Sequence, residues 1–315
     1  MLKELLNLFK SKKLDDDHKL VLSLDGGGVR GLATVIFLKE LEKISGKKIF
    51  DLFDFFIGTS AGGLSAMHLV INKTSANDLE DFWSQDNLAM SMKGTFWTKN
   101  FFLTTKPKYN NESRTKLLER YFGNKLISDS EKPIAVLSYD VEDRKPRVLS
   151  SYNDSNIRVI SAINATSAAP LYYPTVQIED GSWLIDGGVV ANNPCLVGYN
   201  EARKYFETEK IKVFSVGTGM HVKNLSGKDS STWGPFGWLA NDILGILLES
   251  HADHEILNDL IGKDYLRINS AAENINWNLD DYTEKNLENI KKMGLNWWKN
   301  NSENVFTFLN LNKND

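Results

Sequence analysis

The chain has 315 residues, enough for one large α/β domain with a buried core or for two small ones. Hydrophobic residues make up 42% and charged residues 25%, an ordinary globular composition, and a net charge of −4 gives no reason to expect a nucleic-acid partner. The single cysteine, Cys195, excludes an internal disulfide and fits a reducing compartment, and no Cys/His cluster has zinc-ligand spacing.

Taken in order, Met1–Lys13 sets Leu2, Leu5, Leu6 and Phe9 at helical spacing beside Lys3, Lys10, Lys12 and Lys13. The apolar run is too short and too interrupted for a signal-peptide core or a membrane span, so a cytoplasmic location is expected. A basic amphipathic helix of this kind could make peripheral contact with an anionic membrane. Docking of the helix on the domain is the plainer reading. Residues 1–18 are read as an N-terminal amphipathic extension and 19–315 as a single domain.

Lys19–Leu24 is an apolar run of strand length that ends in Asp25-Gly26-Gly27-Gly28-Val29-Arg30-Gly31. From Gly31 to Ile44 the pattern turns helical, with Leu32, Val35, Ile36, Leu38 and Leu41 on one face. Phe53–Ile57 reads as the next strand, and Gly63–Ile71 as a helix. Ser75–Tyr121 is mostly helical and polar, with a loop at Lys93–Asn110 that could form a lid. Ile134–Tyr139 and Arg147–Ser150 are strand-like, and Asn156–Thr166 is helix-like up to Ser167-Ala168-Ala169-Pro170, where proline ends it.

Ser182–Ile185 leads to Asp186-Gly187-Gly188, and Asn193 is expected to cap a helix whose first residue is Pro194. Ile211–Val216 is a buried strand, Gly237–Ile261 a long helical pattern, Tyr265–Ile268 a short strand and Thr283–Trp298 a helix. Strands alternating with helices, with no repeat or linker to divide them, predict a three-layer α/β/α sandwich around a mostly parallel sheet.

Gly58-Thr59-Ser60-Ala61-Gly62 reads G-x-S-x-G between an apolar run and a helical one. A serine there sits on a sharp strand-to-helix turn with its Oγ pushed out of the sheet and a helix N-terminus behind it. Bulk at Gly58, Ala61 or Gly62 would clash with the adjacent strand or helix. Gly26–Gly31 matches the G-x-G-x-x-G dinucleotide fingerprint, but the second strand ends in Ser60 where that reading wants an acid, and no Gly-Lys-Ser/Thr follows to make a P-loop. Consecutive glycines instead expose backbone amides that can converge on an oxyanion. A serine nucleophile also needs a base. None of His18, His68, His221, His251 or His254 sits at an obvious strand end, whereas Asp186 does; Asp-Gly is equally a turn signal.

Asp25–Gly31, Gly58–Gly62 and Asp186–Gly188, in that order, resemble the motifs of the patatin-like phospholipase family, and Thr166–Pro170 and Asn192–Pro194 are similar to further family blocks. The likeness runs from about Leu20 to about Trp298. The resemblance implies a Ser-Asp dyad in which Ser60 attacks an acyl ester and Asp186 accepts its proton. Gly26, Gly27 and Gly28 would form the oxyanion and substrate-binding loop, with the Gly27 and Gly28 amides holding the oxyanion and Arg30 nearby. It further implies a lipid acyl hydrolase of phospholipase A type acting on membrane or micellar phospholipid, with no calcium, other cofactor or metal in catalysis. Other readings of the same residues are a serine esterase or thioesterase on soluble acyl groups, a catalytically silent lipid-binding module, and nucleotide binding through Gly26–Gly31.

Overall fold

In the computed structural model the described residues are 17–94, 106–220, 225–234, 237–238 and 252–311. The Met1–Lys13 segment, most of the Lys93–Asn110 loop, His221 and His251 lie outside them.

Eight strands form one sheet: β1 (Lys19–Leu24), β2 (Phe55–Thr59), β3 (Ile134–Asp140), β4 (Lys145–Ser150), β5 (Val176–Gln177), β6 (Trp183–Asp186), β7 (Ile211–Val216) and β8 (Tyr265–Ile268). The order is β5-β6-β3-β2-β1-β7-β8, with β4 paired to β3 off that path. The pairs β1–β2, β1–β7, β2–β3 and β7–β8 are parallel, whereas β4, β5 and β6 join antiparallel. The sheet is thus parallel where helices connect its strands and antiparallel at one side.

Alternation along the central strands splits the core between two faces, as the two-residue period of a strand requires. Leu22, Phe56, Val136 and Phe214 point to one face, with α1 (Gly31–Ser45), α3 (Ala61–Ile71) and α12 (Glu284–Phe308). Between these in the chain lie the short α2 (Ile49–Leu52), α4 (Ala76–Phe82), α5 (Gln85–Ser91), α6 (Asn111–Phe122), α7 (Val159–Thr166), α8 (Gly188–Ala191) and α10 (Gly227–Ser230). Val21, Phe55, Ile57, Ala135 and Val213 point to the other face, against α9 (Cys195–Phe206) and α11 (Ala252–Ile261). Helices on both faces of the sheet give the three-layer α/β/α sandwich. Among the described residues no helix is long and apolar enough to cross a membrane.

Most boundaries fall within two or three residues of the pattern, and the exceptions have physical reasons. Phe53 is fully buried, yet the backbone at Asp54 is taken by Leu20: the Asp54 amide donates to the Leu20 carbonyl, and the Leu20 amide donates to the Asp54 carboxylate. β2 therefore starts at Phe55. The last helix continues ten residues past Trp298, through the polar stretch Lys299–Glu303, because Val305 and Phe306 beyond it return to the core. Pro194 is not the first residue of α9 but its N-cap, so Asn193 does not cap the helix; it stands one position earlier, where its Oδ1 accepts the Cys195 amide at 3.1 Å.

Candidate active site

Sheet register brings the two sequence-predicted reactive residues together. β2 occupies one edge of β3 as far as the pair Thr59–Leu137, and β4 lies along the opposite edge. β6 takes over the first edge from the other direction, with Leu184 opposite Asp140 and Asp186 opposite Ser138. The parallel strand and the antiparallel one therefore run head to head and stop at adjacent positions of β3. Ser60 follows the end of the first and Asp186 is the end of the second. They are 126 residues apart in the chain, yet the Ser60 hydroxyl comes near enough to the Asp186 carboxylate to lower its pKa.

Ser60 has φ 53° and ψ −120°, a strained conformation for a residue with a Cβ, and it caps the N-terminus of α3. Its neighbours must be small. A Cβ on Gly58 would run into the backbone of Gly62 and Gly63, and one on Gly62 into the carbonyls of Leu24 and Asp25. The Ser60 amide donates to Thr166 Oγ1 at 3.0 Å, and that hydroxyl donates to the Leu137 carbonyl at 2.5 Å. Ser60 itself remains partly exposed.

Asp186 is buried. Its amide donates to the Ala168 carbonyl, and its Oδ1 accepts the Gly188 amide at 2.7 Å. Burial raises its pKa from 3.8 to about 6, against the lowering effects of the Gly188 amide, the Ser60 hydroxyl and the Arg114 charge. Such a carboxylate is still ionised at neutral pH and binds a proton far more readily than an exposed aspartate, which is what a general base facing a serine requires.

The glycine loop runs alongside. The Gly26 amide donates to the Asn192 carbonyl, while the Gly26 carbonyl accepts from Asn192 Nδ2 and Thr218 Oγ1. Val29 donates to the Leu279 carbonyl and Arg30 to the Gly27 carbonyl. No acceptor among the described residues takes the amides of Gly27 or Gly28. Gly26 is thus the close-packing member, its Cα so near Ser60 that an added Cβ would lie 3.2 Å from the serine Cβ. Gly27 and Gly28 differ from it in that their amides have no acceptor among the described residues. Arg30 is buried, its guanidinium carbon 4.2 Å above the Trp277 ring, so it braces the loop against the segment around Leu279.

Gly28 has φ 56°, and a Cβ there would collide with the Leu279 carbonyl. Gly28→Ala is expected to lower kcat on a soluble ester by ~10² or more, the scale of a lost oxyanion donor, with little change in the far-ultraviolet circular dichroism. An unchanged rate would assign the loop another task.

The histidines in the described residues do not enter this arrangement. His68 is packed among Phe82, Tyr121 and Phe122, and burial pushes its pKa down to about 3. His254 Nδ1 lies 3.1 Å from the Tyr265 hydroxyl. No three His, Cys, Asp or Glu side chains among the described residues come together as metal ligands would.

Two arginines near the site, Arg114 buried and Arg267 partly buried, were not foreseen from sequence. Arg267, on β8, forms a two-pronged ion pair with Asp25 and donates to Ser215 Oγ at 2.7 Å, which anchors the start of the glycine loop. A lone arginine inside the apolar strand Tyr265–Ile268 was the available signal. Arg114, on α6, grips the Asn164–Ser167 turn. Its helix, Asn-Glu-Ser-Arg-Thr-Lys-Leu-Leu-Glu-Arg, carries two arginines, and nothing in the pattern marks this one as buried.

The sequence matches the family model described as patatin-like phospholipase over residues 22–199. It is 30% identical to patatin-like protein 4 of Arabidopsis thaliana over 91% of this chain and 85% of that protein. It is 28% identical to a cGAMP-activated phospholipase of Vibrio cholerae over 87% of this chain and 88% of that one. Among solved structures, human GIVD cytosolic phospholipase A2 aligns with a TM-score of 0.48 at 10% identity, covering 98% of this chain and 62% of that one.

Proposed function

The chain belongs to the patatin-like phospholipase family and is a lipid acyl hydrolase, and from that premise we propose that it cleaves fatty acyl esters of phospholipids, in the manner of a phospholipase A, through Ser60 and Asp186. The observation that carries this reading is the register that brings Ser60 and Asp186 together where β2 and β6 meet on β3, beside the amides of Gly27 and Gly28, which have no acceptor among the described residues.

In the first half-reaction Ser60 Oγ attacks the ester carbonyl while Asp186 takes the hydroxyl proton. The carbonyl oxygen becomes an oxyanion held by the Gly27 and Gly28 amides, with the positive end of α3 behind it. Collapse of the intermediate breaks the ester C–O bond, and Asp186 gives its proton to the departing alcohol. In the second half-reaction a water loses its proton to Asp186 as it attacks the acyl-serine. The fatty acid leaves, and Ser60 recovers its proton. No step asks for a metal. We propose calcium-independent turnover at a membrane or micellar surface reached from the cytoplasm, with Met1–Lys13 as an auxiliary contact.

The test incubates the protein with vesicles of mixed phospholipids, with and without a metal chelator, and reads the products by mass spectrometry. The expected products are free fatty acid and lysophospholipid, in equal yield with chelator. Because one relative is named for activation by cGAMP, a further arm adds that nucleotide. Turnover of short soluble esters with none of phospholipid would favour a soluble esterase. A fluorophosphonate probe should label Ser60 alone; labelling elsewhere, at Ser65 or Ser167 for example, would move the nucleophile.

A further inference from the structure

The Ser60–Asp186 pair is suspended from one short segment, Thr166–Ala168. Thr166 Oγ1 receives the Ser60 amide, the Thr166 carbonyl receives the Gly187 amide, and the Ala168 carbonyl receives the Asp186 amide. Ser167, between these anchors, is held from the other side by Arg114. One guanidinium nitrogen of Arg114 donates to the Ser167 carbonyl at 3.0 Å and to its hydroxyl at 3.1 Å. Nε donates to Asn164 Oδ1 at 2.9 Å, and the remaining nitrogen donates to the Asn164 carbonyl and to Asn111 Oδ1. The ring of Tyr173 stacks on the guanidinium, 3.9 Å from its carbon.

Every one of those acceptors is neutral, although Arg114 is only 3% exposed. A buried cation without an ion-pair partner is costly unless an anion lies within reach of its field. The carboxylate among the described residues whose charge acts on Arg114 is Asp186, and the charge of Arg114 acts on it in turn. Among the described residues no other charge acts on Asp186. α7 and α8, which pack about it, carry no ionisable side chain. Ser60 reaches it from the turn after β2, and Ser138 faces it from β3. Tyr173, from the loop after α7, stays neutral because burial raises its pKa.

We propose that Arg114 is the positioning residue of the Ser60–Asp186 pair: it locks the Thr166–Ala168 segment from which both residues hang, and it lends the ionised Asp186 a compensating positive charge. The inference rests on the dyad reading above. It gives the helical segment Asn111–Phe122, which carries no family motif in the sequence, a share in catalysis.

The test is the pH profile of kcat/KM on a soluble ester such as p-nitrophenyl butyrate, for the full chain and for Arg114→Gln and Arg114→Lys, with circular dichroism as the check on folding. The parent should show an acidic limb near the Asp186 value of about 6. Removing the positive charge disfavours the carboxylate, so Arg114→Gln should move that limb up by ~0.5 pH unit or more, besides lowering the plateau. Arg114→Lys keeps the charge but loses the fork, so its limb should stay within ~0.2 unit of the parent while kcat falls about tenfold. A folded Arg114→Gln whose activity drops equally at every pH, with its limb unmoved, would overturn the proposal and leave Arg114 a structural residue. Should the glutamine variant fail to fold, the lysine variant decides: a parental kcat overturns the gripping role, and a displaced limb overturns the electrostatic one. A parent with no acidic limb, or no ester hydrolysis at all, would instead count against the dyad itself.

Discussion

Ser60→Ala should abolish hydrolysis of both vesicle phospholipid and soluble ester, by ~10⁴ or more in kcat, while leaving the protein folded. Loss of a nucleophile removes the covalent route altogether, and what remains is the contribution of substrate binding and the oxyanion donors. The change deletes a single hydroxyl. The two interactions that position Ser60 in the backbone, its amide to Thr166 Oγ1 and its carbonyl to the Leu64 amide, are untouched. The strain at φ 53° persists, because alanine and serine share a Cβ. Stability should therefore change by less than ~1 kcal/mol, and circular dichroism should superimpose on the parent. The measurement is kcat by titration of released fatty acid, paired with loss of fluorophosphonate labelling. Residual turnover above a few per cent would mean that another residue attacks the ester.

How much of this was legible in the sequence follows from the range of the interactions. The motifs at Asp25–Gly31, Gly58–Gly62 and Asp186–Gly188 are local backbone devices, and each demands small residues within a few positions of one another. The collisions that a Cβ on Gly58 or Gly62 would cause are the reason the pattern is readable at all. The strands Lys19–Leu24, Ile211–Val216 and Tyr265–Ile268 are short, mostly apolar runs, and their limits coincide with the structure. What stays hidden is everything decided by distant partners. The head-to-head stop of β2 and β6 is a property of register on β3 and has no local signature. The antiparallel entry of β6 into a parallel sheet is likewise set by the chain returning through α7 rather than by the four residues of the strand. Arg114 and Arg267 look like surface residues because an arginine's burial depends on which acceptors the fold delivers, here Asn164 and Ser167 for one and Asp25 for the other. The three glycines of the loop were indistinguishable by type. The structure separates them by whether each amide already has an acceptor.

Asp186→Asn should cut kcat by ~10² or more and should at the same time make the protein more stable at neutral and alkaline pH. The first effect is the usual scale for a lost general base. Asparagine fills the same space and can still accept the Gly188 amide, but its side chain cannot take a proton from Ser60 near pH 7. The second effect comes from the carboxyl's own titration. Its pKa is about 6 in the folded protein and 3.8 without the fold, and the shift is driven first by burial. The folded state therefore holds this proton up to higher pH than the unfolded chain does. Below pH 3.8 the carboxyl is neutral in both states and costs nothing; as pH rises from about 4 through 6, the buried group ionises and stability is lost. The roughly two-unit difference corresponds to at most ~3 kcal/mol at pH 8. Asparagine removes that loss but strands the Arg114 charge, which offsets part of the gain, so ~1–2 kcal/mol is the expected net stabilisation. For a chain of this size that is a rise in Tm of a few degrees at pH 8, shrinking toward zero as the pH approaches 4. Thermal melts of parent and variant across pH 4–8, beside kcat on one soluble ester, test both halves together. A variant as active as the parent would remove Asp186 from the base role. A variant less stable at pH 8 would mean that the hydrogen bonds of the carboxylate outweigh the cost of burying its charge.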